Sequence, residues 1–269
     1  MAGLDVLAGD LLNVMRFYTR LPLPVFRFER EAHALPDFRR AAWAIPVTGA
    51  VVGSCGALAG GLAYLAGLSP LIGAALAMAV QVAITGAFHE DGLADSCDGL
   101  FGGATPERRL EIMKDSRIGT FGGAGLVFAL LLRVLALAEL FRLMGPAALA
   151  LLPGIAALSR GVALMPVLIL SPAGSQGLSA SVPLPDLPAW LVAVTLGGVV
   201  HAGACLWLDL PLGGLVAALG ALLLMPALAA LARSKIGGHN GDILGACQQV
   251  AEIALLLALS SAANWRGPL

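Results

Sequence analysis

Residues 211 to 232 read `PLGGLVAALGALLLMPALAALA`, twenty-two positions without one charged side chain. A helix needs about 20 mostly apolar residues to cross a bilayer, and within lipid only helices and closed barrels satisfy every backbone polar group. Comparable stretches stand at about 41–67, 70–88, 121–141, 147–170, 188–206 and 243–263. None shows the two-residue alternation of a barrel strand. The chain is therefore expected to be an all-α integral membrane protein, a polytopic bundle of about seven transmembrane helices. Its composition agrees: 58% of residues are hydrophobic and 12% charged, against about 25% charged in a soluble domain. Abundant Gly and Ala suit helices that approach one another closely.

Outside these stretches the charges are patterned, so the formal net charge of −1 identifies no partner. Residues 3–20 carry Leu4, Leu7, Leu11, Leu12 and Met15 at helical spacing against Asp10, Asn13 and Arg16. That pattern predicts an amphipathic helix lying on the membrane or against the bundle. The same residues lack the continuous apolar core of a signal peptide. Basic residues precede the first span (Arg16 to Arg40), follow the second (Arg108, Arg109, Lys114, Arg117) and follow the sixth (Arg233, Lys235). Alternating seven spans puts all three groups on one side, which the positive-inside rule makes cytoplasmic. One domain is expected over 1–269, with 1–40 a cytoplasmic amphipathic segment and 89–119 a cytoplasmic catalytic loop with helices. The four cysteines lie far apart without a CxxC, and read as small apolar fillers rather than a disulfide or zinc framework.

The stretch `FHEDGLADSCDGLFGG`, residues 88–103, places four carboxylates within nine residues of this apolar chain. Asp91, Asp95 and Asp98 are spaced i, i+4, i+7, so on a helix they share about 60° of arc, while Glu90 points roughly 80° away or more. Like charges that close repel unless a cation sits among them. Oxygen-only ligands favour Mg²⁺, or Mn²⁺, and Mg²⁺ completes its shell with water and substrate phosphate. A solvated acidic face is the plain alternative. The spacing of neither an EF-hand nor a zinc-protease HExxH is present.

The following segment, `TPERRLEIMKDSRIGTFG`, opens with Thr105 as N-cap and Pro106 at the first helical position. Lys114 and Arg117 can grip phosphate oxygens and Asp115 can add a carboxylate. A glycine-rich loop, `KIGGHNGD` at 235–242, leads into the last span and offers backbone N–H groups to an anion. Arg133 and Glu139, inside one span, fit an internal ion pair, because buried charges require partners. Arg160 is a candidate to reach toward the active face.

The motifs `FHEDGLADSCDG`, `EIMKDSRIGTFG`, `TRLPLP` at 19–24, `SRG` at 159–161 and `GGHNGD` at 237–242 together resemble the cobalamin synthase family, the adenosylcobinamide-GDP ribazoletransferases. The resemblance covers nearly the whole chain in order. One departure is Asn240, where the family's last motif carries Thr. The resemblance implies a Mg²⁺-dependent transferase of the bacterial cytoplasmic (inner) membrane, its active site facing the cytoplasm. Its implied substrates are adenosylcobinamide-GDP and α-ribazole or α-ribazole 5′-phosphate. GMP is released, and adenosylcobalamin or its 5′-phosphate is formed in cobalamin biosynthesis. With the residue reading, it assigns Asp91, Asp95, Asp98 and Asp115 to metal. Lys114, Arg117, Arg160, Gly237, Gly238 and Asp242 are assigned to substrate phosphate. A carboxylate of the cluster, Asp242 or His89 could take the hydroxyl proton. Besides these substrates and the lipid bilayer no nucleic acid is expected as partner, and a homo-oligomer or an association with other cobalamin-assembly enzymes is left open. Two other readings follow from the same residues. `DSCDG` contains the DxxDG core of CDP-alcohol lipid phosphotransferases without their following Ala-Arg, and carboxylates in a membrane also suit a cation-coupled transporter.

Overall fold

The computed structural model describes residues 2–29, 31–174 and 182–266. These form α1 (Ala2–Tyr18), α2 (Phe38–Ala41), α3 (Ala44–Leu65), α4 (Pro70–Thr85), α5 (Phe88–Gly102) and α6 (Pro106–Met113). Then come α7 (Thr120–Met144), a 3₁₀ turn (Gly145–Ala150), α8 (Leu151–Val162), α9 (Pro166–Ile169), α10 (Leu187–Trp207), α11 (Pro211–Ile236) and α12 (Gly241–Arg266). Among the described residues there is no strand beyond one isolated bridge, between Pro172 and His239.

Five helical runs are long and apolar enough to cross a membrane: Ala44–Leu65, Thr120–Ile169, Leu187–Trp207, Pro211–Ile236 and Gly241–Arg266. A sixth is made by α4 and α5 if that pair, bent by 87°, counts as one span. The protein is thus a multi-pass all-α bundle. The seven expected stretches map onto fewer runs because Thr120–Ile169 is 50 residues long and doubles back. Phe141 near the end of α7 lies against Gly73, Leu149 lies against Gly60, and Ala156 lies against Gly49, so α8 descends beside α3 from the level that α7 reached. Large apolar side chains such as Phe128, Val199, Leu212 and Leu223 face outward, as lipid contact requires.

The centre of the bundle is α8, in which all residues but Pro153 are buried. It is sandwiched between α3 and α10 through small residues: Gly53 meets Leu152, Gly49 meets Ala156, Gly197 meets Leu158 and Gly161 meets Ala193. Without a hydrophobic drive between helices in lipid, such close approach supplies the dispersion energy that holds them. The amphipathic helix α1 docks on the end of α3 through Val14 and Tyr18, which join Phe38, Ile45 and Trp190, while Leu4 and Leu7 stay exposed.

The helix break between α4 and α5 is made by two successive left-handed residues, Gly86 (φ 64°) and Ala87 (φ 59°). The `TRLP` stretch packs onto it, with the Arg20 side chain across Gly86 and the Arg20 amide bonded to the Ile84 carbonyl. Residues 88–102 therefore do not loop free of the bundle. They form a helix wedged lengthwise between α7 and α12, because its non-acidic faces are small and apolar: Leu93 packs on Ala129 and Ala246, and Cys97 on Gly125. All four cysteines are free thiols, as expected of fillers.

A Cβ placed on Gly53 would sit 2.3 Å from the Leu152 carbonyl oxygen, and neither backbone can retreat. Gly53→Ala is expected to destabilise the bundle by roughly 1–3 kcal/mol through overpacking. A fall of several degrees in the thermal unfolding midpoint in detergent, measured against Gly61→Ala on the open side of the same helix, checks this.

Candidate active site

Helix α5 presents three faces with three different jobs. The acidic face carries Asp91, which is exposed, Asp95, which is half-buried, and Asp98, which is buried. Across from it stands the first turn of α12, where the backbone of Asp242 lies against Gly92. The negative charges of Asp91, Asp242 and Asp98 all act on Asp95. A fourth carboxylate thus joins the cluster from the far end of the chain.

Asp98 is engaged differently from its two neighbours. Its carboxylate accepts the backbone N–H groups of Gly119 (2.7 Å) and Gly122 (2.8 Å). These are the N-cap and third-position donors of α7, which has no capping side chain of its own because its N-cap is glycine. A carboxylate at a helix N-terminus satisfies unpaired donors and complements the dipole. Any side chain at Gly119 or Gly122 would collide with it. The four aspartates expected at the metal are thus held in different ways. Asp98 is turned to the start of α7, and Asp115 pairs with Arg117 instead of entering the cluster. Among the described residues, no three His, Cys, Asp or Glu side chains converge closely enough to hold a metal ion by themselves.

The capping of α6 follows expectation, with Thr105 Oγ accepting the Arg108 N–H and Pro106 at the first position. The helix ends at Met113. Met113 fills the space over Gly99, and Lys114 caps the helix with its side chain exposed. Asp115 and Arg117 form an exposed pair at 2.6 Å on the strip between Met113 and Gly119. The guanidinium holds the Asp115 carboxyl at about 2, well below its ordinary value, so the pair is fully charged at neutral pH. Because Gly119 touches Asp98 and Met113 touches Asn240, this basic strip borders the acidic face.

The glycine-rich loop is committed to structure. Gly237 ends α11 in a left-handed conformation (φ 77°). Gly238 lies so close to Ser171 and Ala173 that no Cβ would fit, and the neighbouring His239 pairs with both, N–H to Ser171 O and O to Ala173 N–H. Gly237 N–H is bonded to Arg233 O, so these glycines shape the turn. The charge-poor loop at 171–186 enters this pairing, although 175–181 lie outside the described residues. Asn240 has two tasks: its Oδ1 accepts the Ile243 N–H at the start of α12, and its Nδ2 donates to Asp242 Oδ2 at 2.9 Å. His239 is wholly buried and neither ring nitrogen has a partner.

On the remaining faces the structure separates residues that the sequence grouped. Glu90 turns inward to Arg133 (2.7 Å), which also bonds Gln249 (2.9 Å) and Glu252 (2.8 Å). The Arg133–Glu139 pair is therefore corrected: Glu139 instead bonds Arg142 on the surface. His89 lies about 160° around α5 from Asp91, stacked on Tyr18 with ring centroids 5.6 Å apart. It lines a cavity with Arg160 and Gly241, and among the described residues no aspartate borders that cavity. His89 and Arg160 are thus brought together, but behind the acidic helix.

A family model described as Cobalamin-5-phosphate synthase matches residues 10–260. The chain is similar to the adenosylcobinamide-GDP ribazoletransferase of Xanthobacter autotrophicus, 45% identical over 95% of this chain and 97% of the relative. Proteins of the same name from Rhizobium johnstonii (42%, covering 95% and 97%) and Azorhizobium caulinodans (41%, covering 93% and 95%) are comparable. No solved structure matches.

Asp98→Asn replaces an acceptor oxygen with an amide that faces a backbone N–H, so it is expected to cost about 1–2 kcal/mol through the lost cap. A lower unfolding midpoint, with faster hydrogen exchange in the first turn of α7, is the measurable outcome.

Proposed function

This chain belongs to the cobalamin-5-phosphate synthase family, and we propose that it transfers the adenosylcobinamide-phosphate group of adenosylcobinamide-GDP to α-ribazole or its 5′-phosphate. GMP leaves, and adenosylcobalamin or its 5′-phosphate forms. The observation that carries this reading is the gathering of Asp91, Asp95 and Asp242 from two helices beside an exposed basic strip. Splitting a diphosphate requires charge to be neutralised on the bridging and leaving oxygens.

The acidic donor set fits Mg²⁺, which uses one or two carboxylates and leaves the rest of its shell to water and phosphate. Asp91 and Asp95 would hold it, with Asp242 alongside. When bound, the metal supplies charge neutralisation at the phosphorus being attacked. Asp242 suits the role of general base: Asn240 fixes one carboxylate oxygen and is itself fixed by the Ile243 amide, so the other oxygen is aimed. Lys114 and Arg117 suit the guanosine diphosphate. Arg117 rests on Asp115 with its side chain 87% exposed, so phosphate oxygens can exchange for that partner at little desolvation cost. The positive-inside distribution supports an active site facing the cytoplasm from a bacterial cytoplasmic membrane.

Purified protein in nanodiscs, given adenosylcobinamide-GDP, either ribazole substrate and Mg²⁺, is expected to yield GMP and the corrinoid product, and to lose the activity reversibly on chelation. Asp95→Asn is expected to lower kcat by about 10²–10³ with an unchanged unfolding midpoint. Absence of GMP from the wild-type reaction would sink the proposal. For orientation, a reporter fused after Leu269 should be active outside the cytoplasm; cytoplasmic activity would refute the alternating arrangement.

A further inference from the structure

The cavity behind α5 is unlike the acidic face. Its walls include Phe17 and Tyr18 from α1, Phe38 from α2, and Phe88 and His89 from α5, linked by edge and stacking contacts, together with aliphatic Leu164, Leu184 and Leu244. Among the described residues one charged side chain lines it, Arg160, which is 4% exposed. Arg160 Nη1 donates to the Ala156 carbonyl at 2.9 Å, whereas Nε has no partner. A buried N–H without an acceptor is a standing cost that a ligand acceptor would remove.

Charge balance tells what kind of acceptor fits. Arg133 is ion-paired with Glu90 and Glu252, and the same two carboxylates act at longer range on Arg160. Two positive charges are matched by two negative ones, so an added anion would be uncompensated. A neutral acceptor carried on a flat apolar ring suits aromatic walls that accept a ring face and the unpartnered Nε–H of Arg160, beside which His89 and Gln248 also line the space. Gly241 lines the same cavity while the next residue, Asp242, belongs to the acidic group. A nucleoside held there by its base would direct its sugar hydroxyl past Gly241 to the proposed general base.

We propose that this cavity binds the aromatic base of the nucleophilic ribazole, with Arg160 Nε–H donating to the unsubstituted ring nitrogen, so that Arg160 reads the base rather than phosphate. The assignment rests on the ribazole-transfer reading above. It makes Phe88 a binding residue for the nucleophile and leaves adenosylcobinamide-GDP to the opposite face of α5.

The test is calorimetric binding of α-ribazole to the full-length protein in nanodiscs without adenosylcobinamide-GDP, compared with an analogue in which C–H replaces the acceptor ring nitrogen. Wild type is expected to prefer α-ribazole by about tenfold, and Arg160→Lys, which keeps the charge but moves the donor, is expected to bind both alike. Phe88→Leu, at a residue already 38% exposed, should weaken both ligands by roughly tenfold and raise the KM for α-ribazole but not that for adenosylcobinamide-GDP. Should Arg160→Lys fail to fold, the analogue on wild type and Phe88→Leu still decide. Equal wild-type affinity for the two ligands, no binding at all, or an unchanged affinity in Phe88→Leu each overturns the proposal. Binding with the expected preference but no cobalamin product refutes the transfer reading and leaves the site standing. Product formation with unchanged KM in Phe88→Leu does the reverse.

Discussion

Everything in this protein depends on one buried guanidinium. Arg133, 2% exposed, joins Glu90 of α5 and Glu252 and Gln249 of α12 to its own helix α7. The network continues through Gln248 to Ser159 of α8. Removing one member of such a buried pair leaves a lone charge at a cost of about 3–5 kcal/mol, and in lipid no water relieves it. At 15 residues α5 is about 22 Å long, too short to cross the bilayer alone. It stays in place because its inner face is bonded to two long helices.

That arrangement frees the outer face of α5 for chemistry. Stability comes from the ion network on one side and from glycine-to-backbone contacts around α8 on the other, so Asp91 and Asp95 need not contribute to it. Mutual repulsion among them is then sustained by the rest of the bundle. The same division explains why the aromatic cavity and the acidic face can lie one helix apart. Each is built on a different arc of the same rigid rod, and the start of α12, with Gly241 and Asp242, touches both.

Much of this was legible in the sequence, and what was not has a common cause. The i, i+4, i+7 spacing placed Asp91 and Asp95 on one face and turned Glu90 away from it, because local periodicity sets side-chain direction. Periodicity says nothing of partners across space. It could not reveal that Asp98 would spend both oxygens on amides 21 and 24 residues onward, although paired glycines at 119 and 122, where a capping side chain would normally stand, were the available signal. Likewise Glu139 was nearer in sequence to Arg133 than either carboxylate that binds it. His89 lies away from Asp91 by helix geometry alone, since residues two apart point to opposite sides, whereas the place of Arg160 beside it depends on how α8 packs. The glycines at 237 and 238 were read for their anion-binding potential, and only the neighbouring segment at 171–173 shows the close backbone approach that Gly238 permits. Of the seven expected crossings, the two within 120–169 were separable in the sequence, and the glycines of α3 and α4 that they meet show how the second turns back beside α3.

The attachment of α5 at Glu90 and at Asp98 has a mechanical consequence. The two anchors lie eight residues apart, about 12 Å along the axis, and they grip different sides of the rod. A shaft pinned at one point can swivel, but one pinned at two points on different sides has no rotational freedom left. The angular position of Asp95 is therefore inherited from contacts it does not itself make. A single residue inserted between the anchors would have to swing one of them by about 100°, so this segment can change its side chains but not its length.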